Sequence, residues 1–178
     1  MTARQKFSWA RPLLRCGAAT CLLLVLSGCA GSGERDAKSP ETEAEAEVLD
    51  AYGAMWAEQT KAYRVASTRE TDLQRYLAPA ELRTIETDMA RMTEERTVMR
   101  GDLGHEPEIS ALAVGTQPYT ATVRDCVDSS RWQILDTTTG WRLPPPADQE
   151  VRYVVTARME RGERWTVTEY TEDRTHGC

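Results

Sequence analysis

Apolar residues recur along this chain with two different periods, and the change of period divides it. Val48, Tyr52, Met55, Gln59 and Ala62 fall on one stripe at three- and four-residue spacing, widened by Leu49, Trp56 and Tyr63. That spacing predicts a helix of about five turns with a broad buried face. Ser39-Pro40 fits an N-cap with Pro at the first helical position. Thr42 with Glu45 fits a capping box, and the acids between Glu41 and Glu47 suit the positive end of the helix dipole. Ser67 with Glu70 forms a second capping box and predicts a short helix through Leu73, Tyr76 and Leu77. Pro79 opens a third helix. Its stripe is Leu82, Ile85, Met89, Met92, Arg96 and Met99, and Gly101 closes it. Three Met on one stripe read as adaptable core filler.

From Glu106 onward the period is two. Strands are predicted over 109–114, 119–128 and 132–136, the last turning at Thr137-Thr138-Thr139-Gly140. Pro144-Pro145-Pro146 must be loop. Val151, Tyr153, Val155, Ala157 and Met159 alternate with Arg152, Thr156, Arg158 and Glu160, the cleanest strand pattern in the chain. Arg161-Gly162 makes a tight hairpin turn. Trp165, Val167 and Glu169 then carry the same face onto the return strand. There is no internal repeat. Helices first and antiparallel strands after give an α+β class, N-terminal helices packed on a curved antiparallel sheet.

Ahead of these elements, an apolar run from Cys16 to Leu26 follows a basic head with Arg4, Lys6, Arg11 and Arg15. This order reads as a bacterial export signal. The run is shorter than the ~20 residues that span a bilayer, and twin arginines are absent, which points to the general secretion route. Leu26-Ser27-Gly28-Cys29 resembles the lipobox of bacterial lipoproteins. The resemblance implies a diacylglycerol on the Cys29 thiol, cleavage between Gly28 and Cys29, and a place on the outer face of the cytoplasmic membrane. The expected division is a signal over 1–28, lipidated Cys29 and a flexible tether over 29–41, and a single domain over 42–178.

Cleavage would leave 150 of the 178 residues, enough for one domain with a real core. The four basic residues before Cys29 would leave with the signal, taking the formal net charge from −6 to −10. That disfavours nucleic acid and electrostatic adhesion to an anionic bilayer, so membrane contact is expected through the lipid. Basic residues are nearly all Arg and Asn is absent, a bias that GC-rich coding produces. Of five cysteines, Cys16 and Cys21 belong to the signal and Cys29 takes lipid. Cys126 and Cys178 remain, in an oxidising compartment, and a disulfide between them is the economical reading, with two free thiols as the alternative. It would lie on the outer face of the sheet, because Cys126 shares its phase with Arg124 and Asp128. No CxxC pair supports zinc or thioredoxin chemistry.

The segment Ala121-Thr122-Val123-Arg124-Asp125-Cys126-Val127-Asp128, with a later Gly-x-x-Trp hairpin at Gly162 and Trp165 and a C-terminal Cys, resembles secreted nuclear transport factor 2-like domains of high-GC Gram-positive bacteria. This ketosteroid-isomerase-like, cone-shaped α+β family matches the order of elements over residues 45–178. The resemblance implies a cavity between the long helix and the concave sheet face, where the family's enzymes hold a buried carboxylate as general base. It says little of activity, because the fold hosts enzymes, binders and scaffolds alike.

Two acids fall on apolar strand phases. Asp125 shares a face with Ala121, Val123 and Val127, and Glu169 with Trp165 and Val167. A carboxylate on an apolar wall would have a raised pKa and could move protons. Alternatively both sit at a solvated rim, or pair with Arg124 or Arg152. No second polar group can be placed by spacing, so no catalytic residue is assigned. His105 and His176 are isolated in expected loops and read as surface residues. No metal-ligand, P-loop, Rossmann or nucleophile-elbow pattern occurs, and no cofactor or metal is expected. With one Phe in the chain, Trp56, Trp132 and Trp165 read as core. Trp141, beside the Thr/Gly turn, is the candidate exposed contact residue. Three functions are open: a non-enzymatic domain binding a small apolar ligand or an envelope protein, a proton-transfer enzyme of isomerase or hydratase type, and a structural domain that dimerises through its exposed sheet face.

Overall fold

The computed structural model describes residues 39–147 and 149–178. The expected export signal over 1–28, the expected lipidation at Cys29 and the expected tether as far as residue 38 lie outside the described residues. Helix α1 spans Pro40–Val65. The Ser39 Oγ caps it by accepting the Thr42 N–H at 3.1 Å. Thr42 is therefore inside the first turn, and the expected box with Glu45 does not form. Ala66 ends the helix in a left-handed conformation, its N–H returned to the Ala62 carbonyl. The buried stripe is Ala44, Val48, Tyr52, Met55, Trp56, Gln59 and Ala62.

The expected second helix is a single 3-10 turn, Leu73–Arg75. Its continuation is claimed by tertiary pairing. The Tyr76 carbonyl accepts the Val167 N–H at 2.8 Å, and the Ala78 N–H donates to the Val167 carbonyl at 2.8 Å. Backbone groups used in this way cannot also close helical turns. Helix α2, Pro79–Glu94, stops well short of Gly101. Arg96 takes a left-handed φ of 55°, and Thr97–Arg100 becomes strand β1. Met99, expected at the end of the helical stripe, is a strand residue.

Strands β2 (Pro107–Ala113), β3 (Tyr119–Asp128), β6 (Arg152–Arg161) and β7 (Trp165–Asp173) form one antiparallel sheet in the order β2-β3-β6-β7. Strands β4 (Gln133–Asp136) and β5 (Arg142–Leu143) join β1 in a second, antiparallel sheet of order β1-β4-β5. Neither β1 nor β5 is anticipated by periodicity. Gly101, at φ 101°, is required where the chain leaves β1, because a Cβ there would meet the Arg131 carbonyl oxygen at 1.8 Å.

The helices cover the inner face of the larger sheet. Val123 and Val127 of β3, Tyr153, Val155, Ala157 and Met159 of β6, and Trp165 and Val167 of β7 join the α1 stripe and Ile85, Met89 and Met92 of α2 in one core. This is an α+β arrangement of two helices on antiparallel sheets. Cys126 and Cys178 are bonded, with Cα atoms 5.9 Å apart and a sequence separation of 52. In the chain-entropy account a loop of that length stabilises by about 4 kcal/mol. Ala37–Cys178 form one compact unit with its own core and covalent staple, the properties of a segment that folds alone. No described helix is long and apolar enough to cross a membrane.

Candidate functional site

Besides joining the core through Ala62, the last turns of α1 border a cavity of about 720 Å³. Trp56, Gln59, Thr60 and Tyr63 form its α1 wall, and Ile85, Asp88 and Arg91 of α2 stand beside them. The small sheet supplies Met99, Gln133, Ile134, Arg142 and Leu143, and Tyr153, Tyr170, Glu172 and Arg174 come from the ends of β6 and β7. The period that buries Tyr52 and Met55 brings Gln59, one turn on, to this wall, where it is 6% exposed.

Polar contacts brace the walls. The Tyr63 hydroxyl donates to Asp88 Oδ2 at 2.7 Å, and Arg91 holds the other oxygen of Asp88 at 3.1 Å. Tyr170 donates to Glu172 Oε1 at 3.0 Å, while Arg174 Nε donates to Glu172 Oε2 at 2.6 Å. The Arg174 guanidinium also donates to the Tyr153 hydroxyl at 2.7 Å and lies 3.7 Å over the Tyr153 ring, a favourable cation–π geometry. Burial pushes the Tyr63, Tyr153 and Tyr170 phenols well above their ordinary range, and the carboxylates of Asp88 and Glu172 add to the effect. These phenols stay neutral and can donate hydrogen bonds at any physiological pH.

A smaller recess of about 240 Å³ opens on the other side of Trp56, lined by Tyr52, Gly53, Thr60, Leu103, His105 and Pro107 among others. Asp125 lies behind it, 0% exposed. Its Oδ2 accepts the Tyr52 hydroxyl at 2.9 Å and is 2.7 Å from His105 Nδ1. Its Oδ1 accepts the Glu106 N–H at 2.7 Å. Burial raises the Tyr52 phenol far above its usual range, reinforced by Asp125. The His105 ring packs 4.5 Å from Trp56. The Trp56 Nε1 is buried without a hydrogen-bond partner among the described residues.

Of the two acids expected on the inner face, Asp125 is there and Glu169 is not. A β-bulge opposite Arg158/Met159 inserts Thr168 into β7. The extra residue reverses the strand phase, so Glu169 turns outward and pairs with Arg158 at 3.3 Å, and Tyr170 takes the inner position. Neither Arg124 nor Arg152 reaches Asp125. They pair with Glu108 at 3.5 Å and Glu106 at 3.3 Å.

His105 is no plain surface residue, because its side chain is 25% exposed and held on Asp125. Residues 105 and 125 are far apart in sequence and are brought together by strand pairing, with Pro107 opposite Asp125. The β2–β3 register is therefore the signal that could have found the pair. His176 is exposed, beside Asp173. Thr175 and His176 hold the Asp173 carboxyl down at about 2. Trp141 is 76% exposed. Trp56 and Trp165 are buried, whereas Trp132 lines the cavity. Among the described residues no group of three His, Cys, Asp or Glu could hold a metal ion.

No protein-family model matches this chain, and no curated protein does. Among solved structures it is similar to the intermembrane space region of the chloroplast protein ARC6, with a TM-score of 0.47 and 12% identity over 76% of this chain and 97% of that chain. A likeness of that size carries no argument about function.

Proposed function

We propose that this protein is an extracytoplasmic lipoprotein, tethered through Cys29, whose nuclear transport factor 2-like domain binds a small ligand in the large cavity without altering it chemically. The observation that carries the reading is the cavity itself. Its volume of about 720 Å³ lies within the range of small-molecule sites, about 300–1,000 Å³. Aromatic faces and pre-paired polar groups make up its walls, a composition that orients a ligand. Helices followed by antiparallel strands, with the cavity beneath the long helix, support the cone-shaped assignment. Leu26-Ser27-Gly28-Cys29 behind an export signal supports the anchor.

Catalysis has less behind it. Asp125 meets three donors, which occupy most of a carboxylate's acceptor sites. One observation keeps proton transfer as a second reading. With Nδ1–H directed at Asp125, the neutral His105 ring has a lone pair at Nε2, and His105 lines the smaller recess. Exchange of α-protons in a bound carbonyl compound, abolished by His105→Gln, would establish that reading. Dimerisation through the outer sheet face draws little support. Among the described residues the exposed large hydrophobics are Val65, Trp141, Leu143 and Val151, and none lies on the four-stranded sheet.

The test is a thermal-shift screen of small molecules against the domain and against Ile134→Trp, which fills the cavity. Stabilising compounds should lose their effect in the filled variant, whose own circular dichroism spectrum stays native. Stabilisation that survives filling would sink the cavity reading.

A further inference from the structure

We infer that the cavity takes an anionic amphiphile, a carboxylate or phosphate head on one acyl chain or fused-ring body, with the head held by Arg142. This rests on the cavity being a ligand site and adds what the ligand is. Three arginines border the space. Arg91 is committed to Asp88 and Glu95, at 3.1 and 3.6 Å, and Arg174 to Glu172 at 2.6 Å. Arg142, exposed on β5, has no carboxylate partner among the described residues. A guanidinium presents a planar fork of donors that matches a carboxylate or phosphate. Three acids share the lining: Asp88 and Glu172 are held by Arg91 and Arg174, and Glu150 places its Oε2 beside Gly177, 3.9 Å from where a Cβ there would stand; charges farther off are screened within about 10 Å at ordinary salt.

The body of the ligand is specified by what surrounds that arginine. Ile85, Met99, Leu103 and Ile134 give the cavity an apolar lining. The apolar surface also continues outward. Leu143 and Val151 line the cavity and are 39% and 49% exposed, and Trp141, next to Arg142, is 76% exposed. Two of the four exposed large hydrophobics among the described residues thus lie on the cavity rim, and Trp141 is their neighbour in sequence. Clustered exposed apolar residues mark an interaction site where scattered ones do not. An apolar rim beside a cation with no carboxylate partner among the described residues is complementary to a molecule that is greasy along its length and negative at one end.

The experiment uses residues 37–178 and three soluble probes below their micelle concentrations: dodecanoate, dodecanol and lauroyl-lysophosphatidylglycerol. Binding is followed by calorimetry and by Trp emission, since Trp56 and Trp132 line the cavity. Both anionic probes should bind saturably at one per chain, and dodecanol about fivefold more weakly, the size of one partly exposed ion pair. Arg142→Gln should erase the preference for the charged head, and Arg142→Lys should retain part of it. Tighter binding of the lysolipid would assign the head to a phospholipid, and tighter binding of dodecanoate to a free acid. Equal affinity for charged and neutral probes, unchanged in Arg142→Gln, overturns the inference but leaves the cavity reading standing if Ile134→Trp abolishes binding. No binding by any probe also overturns it, and the cavity reading then stands or falls on the compound screen alone.

Discussion

The two halves of α1 face different neighbours. From Ala44 to Met55 the helix lies on the larger sheet and every inward position is filled by core. From Trp56 to Tyr63 the stripe is divided: Ala62 stays in the core, while Trp56, Gln59, Thr60 and Tyr63 border open space in front of the smaller sheet. The stripe itself hardly changes in spacing, but its chemistry does: Val48 and Met55 give way to Gln59 and Tyr63. One helix therefore serves as the lid of a core and the wall of a site. The difference comes from what is placed opposite it, a broad sheet of long strands in one case and a sheet ending in the two-residue β5 in the other.

The strongest test of that contrast is alkaline pH. Tyr52 belongs to the packed half, Tyr63 and Tyr170 border the cavity, and Tyr153 belongs to both. All four phenols are raised by burial. A raised folded pKa favours the native state fully below the unfolded value near 10, and that advantage is lost as pH rises beyond it. Stability should fall above pH 10 by at most about 1.4 kcal/mol per pH unit for each phenol, or about 5.6 kcal/mol per unit for four. Denaturant melts between pH 9 and 11, with absorbance at 295 nm, measure it. If Tyr63 and Tyr170 ionise near pH 10 in the folded state while Tyr52 does not, the cavity wall is wet and the two halves differ even more than their packing indicates.

Next in size is Asp125→Ala, on the packed side. It removes the acceptor of three hydrogen bonds and leaves the Tyr52 hydroxyl and Glu106 N–H without it. We expect a loss of about 3 kcal/mol by chemical denaturation. A loss under about 1 kcal/mol would mean that water reaches the network, and that the boundary between filled and open regions lies deeper than Trp56. The smallest effect is expected on the cavity side. Tyr63→Phe forfeits one bond to Asp88 at a site with room to adjust, and should cost about 1 kcal/mol. A cost as large as that of Asp125→Ala would erase the distinction.

The sequence made the packed half legible and left the open half obscure, for physical reasons. Strands β3 and β6 are read directly, because burial on one face alone writes a period of two into the residues. Helix α1 is read from its stripe, and the Cys126–Cys178 bond from the small number of thiols. Strand β1 is hidden because Met99 happens to extend the helical spacing of Met89 and Met92, and because its pairing partner, β4, is distant in sequence. Strand β5 is too short to carry a period. Glu169 faces outward because of a single inserted residue, Thr168, and nothing in the residue types announces a bulge. The His105–Asp125 pair and the walls of the cavity depend on register and on the gap between two sheets, and neither is written in any local pattern.

The 3.1 Å bond from Thr42 to Ser39 that fixes the start of α1 also fixes where mechanical load enters the domain. Twenty residues separate Ser39 from Gln59, about 30 Å at a rise of 1.5 Å per residue. A pull applied to the chain ahead of Ser39 along the helix axis would meet the interlocked side chains from Ala44 to Met55 in shear, all at once. Such a force would be resisted there, before the walls around Gln59 and Tyr63 could be drawn apart.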